Sequence, residues 1–112
     1  YMGYGVIEVE GRTIRSVVMG DIDMHRMGDP YDKLRYIFER VGALIEQYGP
    51  REVALESPFF GANVQSMLKL GRAQGVAMAA ALRILPRTAV LTLLIRFRPY
   101  RMARASTAAM TL

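Results

Sequence analysis

With 112 residues, no cysteine and 52% apolar residues, the chain suits one compact domain and excludes a disulfide framework or a thiolate metal site. No run approaches the roughly 18 apolar residues needed to cross a bilayer, and no basic-then-apolar start resembles a signal peptide, so the expected setting is the cytoplasm with no membrane partner. The net charge of +5 is divided unevenly: residues 1–82 hold all ten acids against nine basic residues, whereas 83–112 hold six Arg, no Lys and no acid.

In chain order, the pattern is that of an α/β protein. Gly5 to Glu10 alternates apolar and polar residues, as a half-buried strand does. Gly11-Arg12 is a hairpin turn, and Thr13 to Asp21 returns antiparallel. Asp21 to Asp29 is a polar loop, after which Asp29 caps a helix that has Pro30 in its first turn. Leu34, Ile37, Phe38, Val41, Leu44, Ile45 and Tyr48 form the apolar stripe of that helix, and Gly49-Pro50 stops it. Val53-Ala54-Leu55 is a short strand, apolar on both sides like an interior parallel strand. It ends in Glu56, the last acid of the chain. After Ser57-Pro58-Phe59-Phe60, Asn63 caps a second helix running to about Leu82.

Two interleaved rows of small residues mark the second helix. Gly71, Gly75 and Ala79 form one row, and Ala73, Ala77 and Ala81 the other. Both suit close approach of a neighbouring element, either the sheet of the same molecule or a second copy. Lys69 and Arg72 lie on the remaining face, as solvated cations or as phosphate contacts.

From Val53 to Leu82 the chain resembles the RuvC family of crossover-junction endodeoxyribonucleases. The resemblance is carried by Ala54-Leu55-Glu56, Phe59, Asn63, Leu70-Gly71, Ala73 and Gly75-Val76. Gly3-Tyr4-Gly5-Val6 is similar to the end of the family's D-P-G-x-x-x-T-G-Y-G segment, with Met2 in the Thr position, and the similarity covers residues 2–82. The resemblance implies an RNase H-like mixed sheet flanked by helices. It also implies a structure-specific endonuclease that resolves Holliday junctions in DNA recombination and repair by metal-dependent phosphodiester hydrolysis. Mg²⁺ held by four carboxylates is the implied cofactor, since that cation takes oxygen ligands and a metal pair stabilises attacking and leaving oxygens together. Implied partners are four-way junction DNA, a second copy meeting through helix 63–82, and the branch-migration helicase complex.

Carried over residue by residue, Glu56 matches one catalytic, metal-binding carboxylate. The family's Asp of D-P-G has no counterpart, because the chain opens on Tyr1, and the two later carboxylates have none because no acid follows Glu56. The expected fold is therefore incomplete. It lacks the first, central strand, and the hairpin and the Glu56 strand are left as exposed edges of marginal stability. Residues 1–82 are expected to form a partial nuclease domain and 83–112 a basic, acid-free tail, of the kind that reading a coding sequence out of frame yields. In that tail the apolar run Ala89–Ile95 is expected either to form the next strand or to pair with one of the open edges. The alternative function is a catalytically dead fragment that binds DNA non-specifically through the tail arginines; the basic, apolar tail also suits a membrane surface or a protein partner.

Other candidates carry less. Phe59 suits stacking on bases, since aromatic faces accept any base, whereas Phe60 suits the core. Gly3 and Gly5 permit close backbone approach at the strand start or are turn glycines. His25 has no second His or Cys nearby and is read as a surface residue, and Asp21 and Asp23 as loop acids at the hairpin end.

Overall fold

The computed structural model describes residues 2–56, 64–84, 91–97 and 109–111. Strand β1 (Met2–Glu10) and strand β2 (Thr13–Ile22) form the expected hairpin, with Gly11 at φ 60° in the turn. The hairpin is longer than expected: β1 begins at Met2 rather than Gly5 and pairs from Met2↔Ile22 to Glu10↔Thr13, with a register shift at Val6/Ile7. Tyr4 stands opposite Gly20, where a Cβ would lie 2.5 Å from the Tyr4 hydroxyl oxygen, so the missing side chain makes room for the ring.

Helix α1 (Pro30–Tyr48) starts and stops where local chemistry requires. Asp29 is in extended backbone and its Oδ1 accepts from the Tyr31 N–H at 2.8 Å, filling one of the unpaired donors of the first turn. Gly49 takes the left-handed conformation (φ 59°, ψ 48°), and its N–H returns to the Ile45 carbonyl at 2.8 Å. The seven-residue stripe faces the sheet: Ile37, Val41, Leu44 and Ile45 are buried, with Leu34, Phe38 and Tyr48 packed beside them. Strand β3 (Glu52–Glu56) follows, then helix α2 (Val64–Ile84). The expected cap of α2, Asn63, lies outside the described residues.

Strand β4 (Leu91–Phe97) and the short strand β5 (Ala109–Thr111) complete a five-stranded mixed sheet in the order β2-β1-β4-β3-β5. The expectation that the hairpin and the Glu56 strand are left as exposed edges is corrected here, since both belong to one sheet. Instead of pairing with one open edge, the apolar run from the Arg-rich segment pairs with both. Strand β4 is antiparallel to β1 from Met2↔Phe97 to Glu8↔Leu91 and parallel to β3 from Glu52↔Thr92 to Leu55↔Ile95. Strand β4 occupies the central place between β1 and β3. The physical reason is that two strand edges, one met antiparallel and one parallel, offer N–H and C=O groups on both sides of one slot, which a β-rich apolar segment satisfies at once.

Both helices lie against one face of this sheet. Met2, Val6, Val53, Leu55 and Ile95 meet Ile37, Val41, Leu44, Ile45 and the alanines of α2 in one core.

Candidate functional site: the Glu56 strand end

Glu56 is the last residue of β3, and the alternation of that strand fixes its side. Val53 and Leu55 are buried toward the helices, while Ala54 and Glu56 are half-buried on the opposite face. The β3–β4 ladder ends at Leu55↔Ile95, one residue before Glu56. On the other side Glu56 pairs with Ala109 of β5. From the helix side, the Gln74 side-chain amide donates to the Glu56 carbonyl oxygen. The carboxylate-bearing residue is therefore held by its backbone from both strand and helix layers.

The strands flanking β3 decide what Glu56 can do with a cation. Neither β4 (Leu91–Phe97) nor β5 (Ala109–Thr111) contains an acid, so no carboxylate stands beside it across the sheet. Asp21, on β2 opposite Gly3, is three strand positions away in the sheet order, about 14 Å at ordinary strand spacing. Hard divalent cations need oxygen ligands at about 2.0–2.6 Å, a span that two groups so far apart cannot share. Among the described residues no group of three or more His, Cys, Asp or Glu comes together. The described residues supply one oxygen ligand of the right type, and they do not by themselves fit a divalent metal centre.

The other candidates are dispersed. Lys69 and Arg72 are exposed on α2, in the helix layer, whereas Glu56 lies on the opposite face of the sheet; they do not form one cluster with it. Phe59 and Phe60 lie outside the described residues. His25 is exposed and pairs with Asp23 through Nδ1 at 2.7 and 2.8 Å, while its backbone N–H donates to Asp23 Oδ1 at 2.9 Å. That local pair depresses the Asp23 carboxyl, first through the backbone hydrogen bond and then through the ring. Gly3 and Gly5 lie within β1 and have no left-handed backbone; a Cβ on Gly5 would meet only ordinary contacts at 3.6 Å.

The two small-residue rows of α2 separate. Ala73, Ala77 and Ala81 are buried in the core, whereas Gly71, Gly75 and Ala79 face outward, with open space around both glycines. Gln74 was not among the sequence candidates. Its signal was its spacing: three residues before Ala77 and seven before Ala81, it falls on the arc that a docked helix buries.

A sequence model of the family described as crossover junction endodeoxyribonuclease RuvC matches residues 1–93. The chain belongs to the RuvC family. Its relatives named crossover junction endodeoxyribonuclease RuvC include that of Bacteroides fragilis, 63% identical over 81 residues, which are 72% of this chain and 43% of that protein. The Porphyromonas gingivalis protein of the same name is 57% identical over 81 residues, again 72% of this chain and 43% of the relative. That of Maricaulis maris is 40% identical over 82 residues, or 73% and 49%. The chain thus spans under half the length of these RuvC relatives. The family match itself runs into the Arg-rich segment, to residue 93. The mixed sheet with its two helices is the RNase H-like RuvC arrangement. No described helix is long and apolar enough to cross a membrane.

Proposed function

We propose that this chain supplies the Glu56-bearing part of a structure-specific endonuclease that resolves four-way DNA junctions in recombination and repair. The observation that carries the reading is Glu56 itself, at the exit of β3 within the stretch shared with the RuvC relatives and on the sheet face that α1 and α2 leave uncovered. The chemistry is hydrolysis of a phosphodiester, with Mg²⁺ supplying charge stabilisation when bound and Glu56 as one of its ligands. A single carboxylate gives weak affinity, so cutting requires carboxylates beyond the one described here.

Phe59 is the base-contacting aromatic, and Lys69 and Arg72 are phosphate contacts whose exposure on α2 supports that role. The outward row Gly71, Gly75 and Ala79, flanked by Leu68 at 55% and Leu82 at 68% exposure, supports a homodimer contact along α2. A branch-migration helicase is the further partner, and the cytoplasm, where the DNA lies, the setting.

The test is binding of the 112-residue chain to a labelled four-way junction and to linear duplex of the same sequence, at several salt concentrations with Mg²⁺. The expected result is preference for the junction, an affinity that falls steeply with salt, and cutting near background. Equal affinity for junction and duplex would remove the junction-specific reading and leave only non-specific binding through the arginines. Strong cutting that survives Glu56→Gln would remove Glu56 from the chemistry.

A further inference from the structure

Gln74 is the buried polar side chain of the core among the described residues, 7% exposed amid Ala73, Ala77, Ala80 and Ala81. A row of alanines is the ordinary solution for close packing of α2, and an amide in that row needs a partner, because a buried polar group without one is strongly disfavoured. The partner is the carbonyl of Glu56, eighteen residues earlier. That carbonyl belongs to the first residue of β3 past the β3–β4 ladder, which stops at Leu55↔Ile95. The helix therefore supplies a hydrogen bond at the point where the sheet's pairing with β4 ends.

We propose that Gln74 is a positioning residue for Glu56: it fixes the backbone of the strand end from the helix face and so sets the direction in which the carboxylate leaves the opposite face. The inference rests on the reading of Glu56 as the reacting carboxylate. Gln74 touches neither substrate nor reacting atoms and acts only through the Glu56 peptide. Its effect is local. Loss of the donor removes the helix-side hydrogen bond to the Glu56 carbonyl, while the alanines beside it keep α2 docked.

The experiment uses the full 112-residue chain labelled with ¹³C and ¹⁵N, comparing wild type with Gln74→Met, which keeps the length and apolar stem but has no donor. Ala77→Gly loosens the same helix contact without touching the hydrogen bond and serves as the packing control. Without DNA, the Glu56 carbonyl carbon is expected to move upfield in Gln74→Met, with increased motion of the Glu56 side chain, and to stay at its wild-type position in Ala77→Gly. An unchanged Glu56 carbonyl in Gln74→Met, or an equal change in Ala77→Gly, would overturn the proposal. If Gln74→Met fails to fold, the cross-hydrogen-bond coupling between the Gln74 amide and the Glu56 carbonyl in wild type decides in its place: its presence supports the proposal and its absence overturns it. Addition of four-way junction separates the two readings. A wild-type Glu56 carboxylate carbon that does not respond to junction DNA removes the functional reading alone, since the DNA-free signals still decide the role of Gln74. A response present in wild type and lost in Gln74→Met supports both.

Discussion

Strands β3 and β4 lie side by side in one sheet and were placed there by different kinds of information. Strand β3 is bounded by local signals: Gly49-Pro50 ends the helix before it, and its apolar residues Val53 and Leu55 alternate onto the core. Strand β4 comes from an acid-free, Arg-rich segment and has its position because two edges stood open on either side of one slot. The difference teaches that a mixed sheet specifies its central place by edge chemistry and depth as much as by the identity of the strand that fills it. A β-rich apolar run with the right reach satisfies the same backbone groups.

The strongest way to break this comparison is to ask whether β4 contributes to the core as α1 does. Ile95 is 2% exposed and Ile45 fully buried. Truncation of either to Ala is expected to lower stability by about 2–5 kcal/mol, read as a shift in urea midpoint. A cost for Ile95→Ala near zero beside a full cost for Ile45→Ala would show that β4 is not part of the core. Next in size is Gly20→Ala in the hairpin. A Cβ there would lie 2.5–3.0 Å from the ring end of Tyr4, and the expected loss is about 1–3 kcal/mol. Tyr4→Ala should remove most of that penalty, so the double variant is expected to be clearly less destabilised than the sum of the single ones.

The start and stop of α1 sharpen the comparison from the local side. Asp29→Ala removes the acceptor of the Tyr31 N–H, and Gly49→Ala forces a side chain into left-handed backbone. Each is expected to cost about 1 kcal/mol in thermal or urea unfolding. Those two positions were legible in the sequence because a cap and a left-handed stop are chemistry within a few residues. The hairpin was legible for the same reason, through Gly11. The place of β4 was not, since pairing with both β1 and β3 depends on residues up to 95 positions away (Met2↔Phe97) that no local pattern reports. Of the site, Glu56 was legible through the segment shared with the family. Gln74 was not, because an amide among alanines gains meaning only when α2 docks and brings it to the Glu56 carbonyl, eighteen residues earlier.

Smaller effects are expected at the surface. Arg83 stands 5.9 Å from the centroid of the Phe38 ring, joining the end of α2 to α1. Arg83→Ala is expected to cost about 0.5–1 kcal/mol, with Arg83→Lys recovering part of it. The smallest effect is on pH. His25 holds the Asp23 carboxyl below the ordinary aspartate range, first through its backbone N–H and then through its ring. A carboxyl depressed in the folded state contributes stability above its unfolded value and loses it as pH falls through the folded one. In an NMR titration Asp23 is expected to protonate at lower pH than an unfolded-chain aspartate, and only partly to return in His25→Ala, which keeps the backbone donor.

The central claim is that β4 fills the place between β1 and the Glu56 strand, and it is tested most directly at Leu93. Its backbone stands opposite Val6 on one side and Val53 on the other. Backbone NOEs from Leu93 to both Val6 and Val53 are the predicted result. Absence of either, in a sample whose Val6–Val18 hairpin NOEs are intact, would contradict it.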